Sequence, residues 1–173
     1  MVRAMCAAIE ALDVFVIFTA PNADPRGDLV REELERFVAR QGEGRAMFVE
    51  SFGVPRYYHV MAYAACMLGN SSSGLLEAAS FGLPVVNLGG RQEGRAHAEN
   101  VRHVMAPDHE RLVEVLQWAL DPSTRFHLQG LSNPYGDGLA SARIVERVAR
   151  GLKRSDLLRK RFVDLGKKDV ERR

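Results

Sequence analysis

Short apolar runs rich in β-branched residues alternate along this chain with longer stretches of helical periodicity, and few folds accommodate that alternation. Val14 to Thr19 reads VFVIFT, a continuous run suited to a strand buried on both faces. Pro84 to Leu88 (PVVNL) is a second such run, and Ala46 to Val49, Cys66 to Leu68 and Val101 to Val104 are shorter strand candidates. Between them, Leu29 to Gln41 places Leu34, Phe37 and Val38 at helical spacing. Arg56 to Ala65, Glu110 to Leu120 and Ser141 to Leu152 also read as helices, and Leu75 to Phe81 reads as one that stops at Gly82 and Pro84. The spacing predicts an α/β, Rossmann-like doubly wound parallel sheet with helices on both faces. Ligands of such sheets sit at the C-terminal ends of the strands.

With 173 residues, the chain suffices for one domain or one lobe of a larger enzyme. It contains no apolar run of the roughly 18 to 20 residues that a membrane helix needs. Glu10 falls where an export signal would still be apolar, so a cytoplasmic protein without a membrane partner is expected. Cys6 and Cys66 form no disulfide framework, and His59, His97, His103, His109 and His127 show neither metal spacing nor a nucleophile pairing. No metal, no cofactor and no catalytic residue are therefore expected within this chain. Residues 143–173 hold 12 Arg or Lys and 5 Asp or Glu, a local charge of +7 against −5 elsewhere. No aromatic residues interleave as a base-stacking surface would require. A solvated helical tail, residues 153–173 behind a lobe of residues 1–152, is expected rather than a nucleic-acid partner.

The chemistry concentrates in loops. Gly69-Asn70-Ser71-Ser72-Ser73-Gly74 lies between a strand and a helix, where hydroxyls and first-turn N–H groups converge on an anion such as phosphate. Helix capping by Ser72 or Ser73 explains the same residues, and spacing alone leaves both readings open. Glu77 would close a capping box if Gly74 were the N-cap, which the spacing slightly favours. If the helix begins at Ser72 or Ser73, Glu77 falls one step past the box and is free to accept from the two hydroxyls of a ribose. Asn87 to Arg95 follows a buried strand with three glycines and two arginines, a phosphate clamp if it faces the serine turn. Pro21-Asn22-Ala23-Asp24 leaves the first strand on the ligand side by topology. Asn133-Pro134-Tyr135-Gly136-Asp137-Gly138 is by default a turn, with an unusual density of turn residues.

Taken in order and spacing, the serine turn with Glu77, the run Phe81 to Arg95, Glu99-Asn100-Val101 and Asn133 to Gly138 resemble the C-terminal domain of the hydrolysing UDP-N-acetylglucosamine 2-epimerases. Phe18 to Asp24 and Leu157 to Phe162 also look like that branch. The resemblance implies the C-terminal lobe of a glycosyltransferase-B-type fold, with UDP between two lobes. It implies that Ser71 and Ser72 hold the diphosphate, that Glu77 binds the ribose, that Arg91 contacts the nucleotide, that Asn22 lines the cleft and that Tyr57 lies near the uracil. Gly90 stands where the family usually has an acidic or hydroxyl residue.

The implied partner is UDP or UDP-N-acetylglucosamine, and the implied complete enzyme is a homodimer. It converts UDP-N-acetylglucosamine and water to N-acetylmannosamine and UDP in sialic-acid-type synthesis. The family's N-terminal lobe, with the acidic residues that work on the sugar, and a histidine just upstream are expected to be absent from this chain. It should then bind UDP without turning over sugar, a missing lobe or subunit being a further partner. A free-standing nucleotide-sugar-binding module and a glycosyltransferase lobe are the alternatives.

Overall fold

The computed structural model describes residues 1–22 and 25–152. The alternation becomes five strands and seven α-helices among the described residues. Helix α1 (Val2–Glu10) leads to β1 (Val16–Thr19), α2 (Gly27–Gln41), β2 (Ala46–Val49), α3 (Gly53–Tyr63) and β3 (Met67–Gly69). Helix α4 (Ser73–Leu76) is followed by a 3₁₀ turn (Ala78–Phe81), then β4 (Val85–Leu88), a second 3₁₀ turn (Gly90–Gln92) and β5 (Val101–Val104). Helices α5 (His109–Leu120), α6 (Pro122–His127) and α7 (Ala140–Gly151) complete the order. The chain divides after Tyr135 into two compact units. In the second, α7 carries internal ion pairs, Asp137 with Arg143 and Glu146 with Arg150. The expected tail, residues 153–173, lies outside the described residues, as do Ala23 and Asp24.

Every strand pair is parallel, as the alternation requires. The sheet is nonetheless in two pieces, β1–β2 and β3–β4–β5, with no ladder between β1 and β3 among the described residues. Side-chain parity on β4 shows how helices cover both faces. Val86 and Leu88 pack with Ala8 of α1 and with Leu112, Val115, Leu116 and Ala119 of α5. Val85, pointing the other way, packs with Met61 of α3 and Leu75 of α4. Phe18 of β1 meets Leu34 and Phe37 of α2 together with Cys6 and Ile9 of α1, and its ring is edge-on to Phe37 at 5.6 Å.

Strand β1 departs from the expectation of burial on both faces. Phe18 is buried, but Phe15 and Ile17 are 52% and 38% exposed. An unbroken apolar run encodes the capacity for two-sided burial; whether a second layer arrives is decided elsewhere in the chain. Helix α1, which the sequence reading did not anticipate, is amphipathic and packs Ala8 against one cluster and Cys6 and Ile9 against another. Among the described residues, no helix is long and apolar enough to cross a membrane.

Candidate functional site

Because β3 and β4 pair in parallel, the loops after them leave the same edge of their sheet, and the two are tied together. The buried Gln92 donates from Nε2 to the carbonyl of Asn70 at 2.8 Å, linking the arginine loop to the serine turn. Sequence reasoning missed Gln92, since a glutamine in a glycine-rich loop carries no signal of burial. It also missed Asn87, which is buried on β4 and donates to His103 Nδ1 at 3.0 Å. That bond requires the neutral imidazole as acceptor. Burial of the ring, and then the neighbouring His97, hold the pKa of His103 below its ordinary value.

The serine turn differs in detail from its expected form. Helix α4 starts at Ser73, with Ser72 as its N-cap and no side-chain capping bond. Its first N–H groups are already engaged: Ser73 N–H by Ser71 Oγ at 3.4 Å, Gly74 N–H by Ser71 O at 3.3 Å and Leu75 N–H by Ser72 O at 2.9 Å. The donors left at the turn among the described residues include the backbone N–H groups and the hydroxyls of Ser71 and Ser72. Gly74 serves packing, not ligand approach. A Cβ there would come within 2.9 Å of Val85 Cγ1, so glycine lets α4 lie against β4.

The Glu77 side chain makes no capping bond. With the N-cap at Ser72, the third helical position is Leu75, and Glu77 stands at the junction between α4 and the 3₁₀ turn. The expected continuous helix over 75–81 is therefore broken at this residue, whose φ of −110° lies off the helical value of about −63°. Its Oε2 is buried without a hydrogen-bond partner among the described residues. A buried carboxylate oxygen without a donor costs about 1 to 3 kcal/mol or more, a cost that an incoming hydroxyl can recover.

Tyr57, on α3, is drawn to the same place. Burial raises the pKa of its phenol, a hydrogen bond with the Ser73 side chain opposes that rise, and the charge of Glu77 adds to it. Arg91 projects from the 3₁₀ turn after β4 and is exposed. Asn22 is exposed in the loop after β1, and its carbonyl lies 2.6 Å from where a Cβ on Gly27 would stand. The structure thus sets Tyr57 and Glu77 beside the end of the serine turn and ties the Arg91 loop to that turn through Gln92. Asn22 follows β1, in the other sheet.

The Asn133 segment is more than a turn. Asn133 Nδ2 donates to Leu76 O and to Ser80 Oγ, each at 2.8 Å, and its Oδ1 accepts from Tyr135 N–H at 2.8 Å. The Tyr135 hydroxyl donates to Ala96 O at 2.9 Å, just past the arginine loop. Gly90, where the resemblance anticipates a polar side chain, would bring a Cβ within 3.3 Å of Met105 Cε and 3.4 Å of Glu93 Oε2, both ends of flexible side chains.

A family model described as UDP-N-acetylglucosamine 2-epimerase matches residues 1–149. A UDP-N,N'-diacetylbacillosamine 2-epimerase (hydrolyzing) of Legionella pneumophila is 35% identical over 134 residues, which are 77% of this chain and 33% of the relative. Among solved structures, MnaA of S. aureus with UDP superposes with a TM-score of 0.64 at 22% identity, covering 95% of this chain and 44% of that one. The UDP-GlcNAc 2-epimerase of Methanocaldococcus jannaschii, in complex with UDP-GlcNAc and UDP, gives a TM-score of 0.62 at 20% identity, covering 87% and 40%. The chain spans about a third of the length of the curated relative that it matches. It belongs to the UDP-N-acetylglucosamine 2-epimerase family, and its fold is that of those structures.

Proposed function

We propose that this member of the family is the nucleotide-holding part of a hydrolysing UDP-N-acetylglucosamine 2-epimerase, and that the nucleotide lies across the Ser71–Ser72 turn and Glu77. The observation that carries this reading is the buried, unpartnered Oε2 of Glu77 beside a turn with unused N–H and hydroxyl donors. Vicinal hydroxyls of a ribose supply the donors that a carboxylate lacks, and a diphosphate supplies the acceptors that the turn lacks. Arg91 is assigned to the nucleotide, Tyr57 to the uracil end and Asn22 to the cleft.

In the reaction of the complete enzyme, a base takes the proton from C2 of the sugar as the bond from C1 to the diphosphate oxygen breaks. UDP departs, and water adds across the resulting glycal to give the free 2-epimeric sugar. The residues assigned here hold the departing UDP, and none of them is assigned the C2 proton. Binding without the reacting groups stabilises substrate and transition state alike, which does not accelerate the chemical step.

A diacetylated sugar is a second reading of the substrate. The Legionella pneumophila relative, and one of Campylobacter jejuni at 34% identity over 102 residues, are both named for diacetylbacillosamine. Calorimetric titration with UDP, UMP and UDP-N-acetylglucosamine tests the nucleotide reading. UDP should bind more tightly than UMP, and equal affinities would remove the diphosphate from the serine turn. In a coupled assay for UDP, the chain alone should release none above the uncatalysed rate.

A further inference from the structure

The junction at Glu77 has a specific origin. In a continuous α-helix, the carbonyl of Leu76 would accept from the N–H of Ser80. Here Ser80 N–H bonds one residue short, to Glu77 O at 3.0 Å, and the released Leu76 carbonyl takes the Asn133 side chain instead. The second Nδ2 hydrogen is used by Ser80 Oγ, and Oδ1 is used by Tyr135 N–H. The Asn133 amide is thus engaged on both ends and locked in orientation. It supplies the donor that the helix withholds, on the residue directly before Glu77.

The N–H of Glu77 still makes the α-type bond to Ser73 O at 3.0 Å, but its φ of −110°, against about −63° in an α-helix, turns its Cβ about the N–Cα bond and so redirects the side chain at the switch. With the φ of a continued α-helix, the carboxylate of residue 77 would take another direction relative to Tyr57, on which its charge now acts.

We propose that Asn133 is a positioning residue for nucleotide recognition: by bonding Leu76 O and Ser80 Oγ it holds the helix open at Glu77 and sets the direction in which that carboxylate faces the ribose. The proposal rests on the reading of Glu77 as the ribose contact. Tyr135 serves the same end, because its N–H fixes which way the Asn133 amide is turned.

The test has two arms. In the ligand-free chain, backbone chemical shifts of residues 76–80 should move toward continuous-helix values in Asn133→Ala and, with less disturbance of packing, in Asn133→Asp. The aspartate keeps the acceptor toward Tyr135 and loses the donor. Unchanged shifts overturn the proposal.

In calorimetry, either substitution should weaken UDP about tenfold, the cost of losing one well-aimed hydrogen bond. It should leave the affinity for 2′,3′-dideoxy-UDP unchanged and add nothing in a Glu77→Ala background. A purely structural role would weaken both nucleotides alike and add to Glu77→Ala, and that result also overturns the proposal. If the unaltered chain does not distinguish UDP from its dideoxy form, the ribose reading is what fails. The shift measurement then decides by itself whether Asn133 sets the junction.

Discussion

Replacing Glu77 with alanine separates a ligand-binding carboxylate from a structural one, because the two roles have opposite signatures. In the free chain, Oε2 is buried without a partner among the described residues, and the residue makes no capping bond. The desolvation cost of about 1 to 3 kcal/mol is therefore already carried by the folded state. Its removal should leave the melting temperature unchanged or raise it slightly. On the proposed reading the same oxygen accepts from a ribose hydroxyl when UDP is bound, and a hydrogen bond to a charged group is worth roughly 1.5 to 3 kcal/mol. The expected loss is then about ten- to 150-fold in Kd. Calorimetry against UDP gives the affinity, and a thermal melt of the ligand-free protein gives the stability. A melting temperature lowered by several degrees together with unchanged UDP affinity would refute the reasoning, because a stabilising contact made by Glu77 would then have to exist in the free fold.

Three further outcomes follow from the geometry. Gly74→Ala should destabilise by about 1 to 3 kcal/mol, the usual cost of overpacking, because its Cβ would meet Val85 Cγ1 at 2.9 Å; a melt identical to the unaltered chain would mean that α4 can lift from β4 freely. Asp108→Ala should cost about 1 kcal/mol, because Asp108 Oδ1 accepts from Arg111 N–H at 2.8 Å as the N-cap of α5, and denaturant unfolding would read the loss. His103 should titrate by NMR below its ordinary value of 6.5. The folded state then resists protonation more than the unfolded chain, so the stability due to neutral His103 is complete above about pH 6.5 and declines as pH falls from there toward the folded pKa. A midpoint at or above 6.5 would show that the ring is neither desolvated nor held as an acceptor for Asn87.

Much of the fold is legible in the chain alone. Strands β2 and β5 fall on the apolar runs 46–49 and 101–104 without a shifted end, and β1, β3 and β4 lie within a residue or two of theirs. Periodicity can do this because a strand or helix is specified by which side chains must face one way, and that is written in consecutive residues. The parallel arrangement follows from the alternation, and with parallel strands the serine turn and the arginine loop must leave the same sheet edge. The positions of Ser71, Ser72, Arg91 and Asn22 in strand-following loops were therefore open to sequence reasoning.

Other features depend on partners far along the chain. Sequence spacing favours a capping role for Glu77, whereas the structure places it at a helix break because a donor arrives from Asn133, 57 residues after Leu76. Gly74 looks like an N-cap in the sequence, but it lies inside α4 with Val85 close behind it. The run around β1 advertises burial on two faces and receives it on one. Gln92 and Asn87 look like loop and strand polar residues, yet one joins two loops and the other donates to the ring of His103. The sequence by itself determined the five strands and the identities of the groups in the loops that follow them, since both depend on local patterns, while the short helices α1 and α6 went unread. Only the tertiary structure decided which backbone and side-chain groups find partners and which, like Glu77 Oε2, are buried without one, because hydrogen-bond satisfaction is settled between segments that meet only when the chain has folded.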